Sequence, residues 1–249
     1  MRCLVYQPGL IEYHEAYQLQ RELLSERLDG RIADTLLLLE HPPTITIGKS
    51  GKLENVLATP THLAREKVSL VFVDRGGDVT YHGPGQIVGY PIFDLRERGK
   101  DAHKYLHKLE EVLIRTLNDF SIKSGRDSNH AGVWVEGEEI AAIGLRVKKW
   151  ITMHGFALNV NPNLAHFSLI NPCGFTDRKA TSMAHLLGQE IPIATVTERL
   201  LAHFADVFNV RLELATDELT RSIDERKTAA LVQAKACRPE NYVNYARAS

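Results

Sequence analysis

Three β-type runs, residues 131–135, 140–147 and 154–160, follow one another with only short connections, the first turning into the second at Glu136-Gly137. A parallel crossover needs about a dozen residues or more, so runs this close fold back on one another as antiparallel neighbours. A chain organised round such a triplet is committed to a sheet.

The rest of the chain supplies strands and helices to cover it. Residues 2–6 alternate like a short strand, and Tyr13, Ala16, Tyr17, Leu23, Leu24 and Leu28 recur at roughly helical spacing across residues 11–28. The apolar run 35–39, closed by Pro42-Pro43, reads as a buried strand, and 44–47 alternates again before Gly48. Residues 68–74 and 87–93 have strand character. Ala102, Leu106, Leu109, Val112, Leu113, Leu117 and Phe120 recur at three and four and mark an amphipathic helix. Thr195-Val-Thr-Glu198 carries a capping-box pattern that opens another, running through Phe208. Together these predict an α+β fold with a mixed, mainly antiparallel sheet flanked by helices. No linker separates two large domains, so residues 1–215 are expected to form one domain and the charged, alanine-rich residues 216–249 a helical or loosely docked tail.

Thirty basic against thirty-one acidic residues leave a net charge of −1, so no global field draws the protein onto nucleic acid or a membrane, and neither is expected as a partner. Cysteine occurs only at 3, 173 and 237, without metal-finger spacing, which predicts free thiols and a reducing compartment. Residues 1–20 include Glu12, His14 and Glu15 and do not read as a signal peptide, and no run approaches the ~20 apolar residues that span a bilayer. The expected location is the cytoplasm.

Two segments stand out chemically. Arg75-Gly-Gly-Asp-Val-Thr-Tyr-His82 followed by Gly83-Pro-Gly-Gln86 concentrates glycine, a cation and an imidazole where backbone can lie close against a ligand. It lacks the dinucleotide and Walker phosphate patterns. Pro172-Cys173-Gly174 presents a lone thiol in a tight turn, either an inert cysteine or a nucleophile able to form a thioester. His82 and His154 read equally as proton carriers or as hydrogen-bonded core histidines. His103 and His107 have i,i+4 metal spacing but no third ligand nearby, so they read as helix surface and no metal is expected. Arg146, Lys148 and Lys149 beside Trp150 form a basic patch, to which Arg75 could add, suited to docking an acidic carrier protein.

Taken together, Arg75 through Gln86, Ile140-Ala-Ala-Ile-Gly144, His154-Gly-Phe-Ala-Leu-Asn-Val160 and Ile170-Asn-Pro-Cys-Gly174 closely resemble the octanoyltransferases of lipoate biosynthesis, also called lipoate-protein ligase B. The resemblance implies a fold shared with biotin and lipoate ligases. It also implies transfer of an octanoyl group from octanoyl-acyl carrier protein to a lysine of lipoyl domains, in 2-oxoacid dehydrogenase complexes and the glycine cleavage H protein, without ATP, metal or other cofactor. By the same carry-over Cys173 is the acyl-thioester nucleophile. Arg75, Gly76, Gly77, Asp78, Val79, Thr80, Tyr81, His82, Ala142, Ile143, Gly144, Gly155, Phe156 and Ala157 line the acyl pocket. Burial of a C8 chain there is worth on the order of 0.8 kcal/mol per methylene.

One position departs from the family pattern. Where the resemblance places a lysine that lowers the cysteine pKa, immediately before Ile-Ala-Ala-Ile-Gly, this chain has Glu139, preceded by Glu138. A cation near a thiol favours the thiolate and a carboxylate disfavours it, so the electrostatic sign is reversed. Lys148 and Lys149 lie roughly 30 Å further along an extended strand and do not fill the position. Three readings follow: an enzyme with weakened activation, one in which Glu139 or a histidine acts as base, or a homologue that binds acyl groups without turnover.

Overall fold

Four consecutive leucines, Leu36 to Leu39, decide the layering. They lie in strand β2 (Asp34–Glu40), between β1 (Arg2–Leu10), to which it runs parallel, and β6 (Gln86–Ile92), to which it runs antiparallel. Side chains alternate across a strand, so Leu36 and Leu38 face one side of the sheet and Leu37 and Leu39 the other. Helices α3 (Ala102–Asp119) and α5 (Ile193–Phe208) cover the first pair, contributing Leu109, Val112, Leu200 and Phe204, while α1 (Tyr13–Leu28) covers the second with Ala16, Leu19 and Leu23. A strand buried on both faces needs an unbroken apolar run, and this one has it.

A computed structural model describes residues 1–171 and 179–215, so Cys173, Cys237 and the tail 216–249 lie outside the described residues. The main sheet has seven strands in the order β10 (Arg211–Leu214), β1, β2, β6, β9 (Ile151–Asn159), β8 (Glu138–Lys148) and β7 (Gly132–Val135). Only the β10/β1 and β1/β2 pairings are parallel; the other four are antiparallel, including the expected β7-β8-β9 meander. At one sheet end, Arg27 of α1 bridges Asp34 at 2.9 Å and Asp94 at 3.3 Å, and Arg98 bridges Asp34 at 2.8 Å, so charges entering the interior do so in pairs.

Three findings modify the sequence reading. Val79–His82, read as part of a glycine loop, is a strand, β5, pairing antiparallel with β3 (Thr44–Ile47), itself parallel to β4 (Ser69–Phe72). These make a second, three-stranded sheet over its own core of Ile45, Ile47, Val79 and Tyr81. The capping box at Thr195 is not used: α5 starts at Ile193, and Pro192 at its N-cap position makes no side-chain cap. Short helices α2 (Pro60–Arg65) and α4 (Met183–Leu187) had no periodic signal long enough to read.

Candidate active site

A cavity of about 870 Å³ opens where the small sheet meets the face of the large one. It collects residues from all the sequence-distant segments named above: Arg75, Gly76, Gly77, Asp78, Val79, Thr80 and His82 from the glycine segment and β5, Ala142, Ile143 and Gly144 from β8, and Gly155, Phe156 and Ala157 from β9. Tyr81 is the exception among the fourteen. Alternation along β5 turns it away from Thr80 and His82 into the small sheet's core, where its hydroxyl meets His166 Nδ1 at 2.7 Å and its ring packs on Phe167.

Glycine is required where the walls approach. Gly77, at φ +84°, lets the segment turn, and the Gly76 N–H donates to Leu145 O at 2.8 Å, tying it to β8. Arg75 is not part of a surface patch: it is 7% exposed, and its guanidinium donates to Thr46 O at 2.8 Å, Thr46 Oγ1 at 2.9 Å and Gly76 O at 3.0 Å. The cation therefore works as a strut holding the loop against β3. The remaining basic residues sit at the β8–β9 hairpin tip, where Lys149 and Trp150 both adopt positive φ, as a type I′ turn demands. Lys148 and Lys149 are exposed there, while Arg146 pairs with Asp74.

The polar floor has fixed tautomers. Gln86 Nε2 donates to Tyr81 O at 3.1 Å and to Asn159 Oδ1 at 2.9 Å, so its Oε1 accepts from His82 Nδ1–H at 2.9 Å and leaves His82 Nε2 unprotonated. His41 Nδ1–H donates to Ile11 O, so its Nε2 accepts the Tyr90 hydroxyl, both at 2.8 Å. Burial pushes His41 down to about 4 and His82 well below its ordinary value, and burial likewise lifts Tyr13 to about 12 and raises Tyr90. The floor is thus neutral at physiological pH. His154 borders it with Nε2 2.8 Å from Asp74 Oδ1; burial lowers it to about 4 against the opposing pull of that carboxylate.

Glu139 also lines the cavity, at the edge of β8. Its N–H donates to Lys179 O at 2.9 Å and its carbonyl accepts from Thr181 N–H at 3.0 Å, so residues 179–181 run alongside it and Lys179 joins the lining. Lys179, Tyr13, Tyr90 and Trp134 are lining residues that no motif announced. Asp74, one residue before the conspicuous arginine, equally carried no signal. The exposed His107 pairs with the buried Glu110 of α3, and no group of three or more metal-ligating side chains occurs among the described residues.

Cys3 is fully buried on β1, and burial raises its thiol to about 12. Native-state alkylation followed by peptide mapping is expected to leave Cys3 unmodified at pH 8. Labelling of Cys3 at the rate of a free thiol would contradict this placement. Among the described residues no helix is long and apolar enough to cross a membrane.

Residues 12–205 match the model of the lipoyl protein ligase A/B catalytic domain. An octanoyltransferase of Desulforamulus reducens is 44% identical over 228 residues, covering 91% of this chain and 100% of that protein. One from Caldicellulosiruptor saccharolyticus is 51% identical over 211 residues, 84% of this chain and 90% of its own length. Among solved structures, a bipartite lipoate protein ligase from Thermoplasma acidophilum superposes with TM-score 0.69 at 14% identity, covering 92% of each chain. A lipoate-protein ligase A bound with ATP gives 0.67 at 13%, covering 91% of this chain and 94% of the other. Two packed sheets with one shared cavity, a family match across most of the length and relatives aligned nearly end to end all agree: this chain belongs to the lipoyl protein ligase A/B catalytic domain family.

Proposed function

We propose that this protein is an octanoyltransferase of protein lipoylation, moving an octanoyl group from octanoyl-acyl carrier protein to a lysine of a lipoyl domain through a thioester on Cys173. The observation that carries this reading is the convergence of thirteen of the fourteen segment residues on one cavity of about 870 Å³, walled by Val79, Ile143, Phe156, Ala157 and other apolar side chains. It holds a C8 chain with room to spare, and each buried methylene contributes on the order of 0.8 kcal/mol. The curated relatives at 44 and 51% identity carry the same activity in their names.

The chemistry balances in two steps. The Cys173 thiolate attacks the carbonyl carbon of the carrier thioester; a new C–S bond forms, the old one breaks, and the carrier's thiolate leaves and takes up a proton. The acceptor lysine, as the free amine, then attacks the enzyme thioester; a C–N bond forms, the C–S bond breaks and the amine gives up a proton. Lys148 and Lys149 at the exposed hairpin tip offer complementary charge to an acidic carrier protein. Both partners and the reaction suit the cytoplasm.

A second reading, acyl binding with weakened or no turnover, is favoured by Glu139 alone, whose carboxylate opposes thiolate formation. One experiment separates them. Incubation with octanoyl-carrier protein and intact-mass measurement should give a single octanoyl increment that is absent in Cys173→Ala. In Glu139→Lys the increment should appear faster and at lower pH. No increment in the unaltered protein at any pH removes the thioester route and leaves the binding reading.

A further inference from the structure

The octanoyl chain is neutral, whereas the acceptor lysine approaches as an ammonium, protonated at physiological pH. A carboxylate and an indole on the cavity wall do nothing for the chain, yet the cavity has both. Glu139 and Trp134 line it, and they stand directly opposite each other across β8 and β7. Their main-chain groups point away from each other. Trp134 N–H donates to Gly125 O at 2.8 Å and its carbonyl accepts from Gly125 N–H at 2.9 Å, while the Glu139 main chain bonds to Lys179 and Thr181 on the other side. The two are therefore a non-hydrogen-bonded antiparallel pair, the kind whose Cα atoms approach to about 4.5 Å and whose side chains stand closest.

The two side chains converge over a glycine. A Cβ on Gly132 would lie 3.2 Å from Glu139 Oε1 and 3.5 Å from Trp134 Nε1, so any side chain there would enter the space that carboxylate and indole share. The indole is backed by the His130 ring at 6.1 Å between centroids, and His130 is held by Asp127 Oδ1, which accepts from its N–H at 3.1 Å and lies 3.0 Å from its Nδ1. Glu139 and Trp134 are half-buried, so a long side chain entering the cavity reaches both. A carboxylate beside an aromatic ring suits an alkylammonium: the carboxylate has about four lone-pair sites for N–H donors, and the ring attracts the cation and covers its methylenes.

We propose that Glu139 and Trp134 form the capture site for the acceptor lysine, a reading that rests on the octanoyltransferase assignment above. Glu139 accepts hydrogen bonds from the ε-ammonium and the Trp134 ring lies along the lysine methylenes. Both residues bind and place the lysine and take no part in bond making. The reversed charge at position 139 thereby acquires a use: the carboxylate that opposes thiolate formation favours binding of the acceptor.

A double-mutant cycle on binding tests this without turnover. Full-length Cys173→Ala protein is titrated calorimetrically with the lipoyl domain of a 2-oxoacid dehydrogenase complex, and with the same domain carrying methionine in place of its acceptor lysine. Removing the lysine, or changing Glu139→Gln, should each weaken binding by roughly 5- to 10-fold, and the two changes together by no more than either alone. Glu139→Asp should recover part of the loss. Trp134→Leu should weaken binding of the lysine-bearing domain by about threefold, while Trp134→Phe keeps most of it. The lysine-dependent share should shrink as salt is raised. Each variant is first confirmed as folded by its melting transition. Unchanged binding in Glu139→Gln, or losses that multiply in the doubly altered pair, overturn the capture site and leave the octanoyltransferase reading standing. Failure of either form of the domain to bind brings down the lipoyl-domain acceptor itself, and the capture site with it.

Discussion

Replacing Gly155 with alanine is expected to destabilise the protein by about 3 kcal/mol, at the upper end of what overpacking a dense interior does. A Cβ at this position would lie 2.1 Å from Gly89 O and 2.8 Å from Pro91 Cδ on the neighbouring strand β6. Neither obstacle can swing aside, because both belong to backbone or to a proline ring in the middle of the seven-stranded sheet. The strand pair must separate, and the cost falls on two strands that carry the cavity-lining Tyr90, His154 and Phe156. For a chain of this size the melting temperature should drop by roughly 6–12 °C. Gly125→Ala is the control: a Cβ there meets nothing within 4 Å, so its effect should stay near zero. Equal melting temperatures for the two variants would show that β6 and β9 do not approach as closely as the structure places them.

Acid should unfold the protein earlier than its near-neutral composition suggests. His41 and His154 titrate near pH 6.5 in an unfolded chain and at about 4 in the folded one, with burial as the leading cause, and His82 is lowered in the same sense. The folded state therefore binds these protons more weakly. Between about pH 6.5 and pH 4 the unfolded chain takes up more of them, so the stability they represent is complete above that window and is lost as the pH falls through it. His41 and His154 should each account for on the order of 3 kcal/mol by the acid end, and His82 adds in the same direction. Urea midpoints measured from pH 7.5 to 4.5 should fall steadily below 6.5, and His41→Gln should flatten the slope. A midpoint that stays constant from pH 7 to 5 would mean that these rings accept protons in the folded state without penalty.

Much of the architecture was legible locally, because it follows from periodicity. The β7-β8-β9 meander and the buried run of β2 were readable as strands before any tertiary information, since alternation and short connections leave few alternatives. The Val79–His82 segment was not, because its glycine-rich approach masks a four-residue strand, and the consequence reached the site. As a loop it would turn Thr80, Tyr81 and His82 inward together. As a strand it sends Tyr81 to the opposite face.

What the sequence determined by itself was the inventory: an α+β chain, a glycine-rich segment built for close approach, a carboxylate at position 139 and small residues along two strands. Which of these meet was decided only in three dimensions. Asp74 reaches His154 across 80 residues of chain, Tyr13 enters from a helix near the amino terminus, and Arg75, a candidate surface cation by sequence, is buried as a strut on Thr46. Local patterns report which face of an element is apolar. They carry no record of partners on other elements, because those contacts arise from sheet order and packing, to which each residue contributes only a small part.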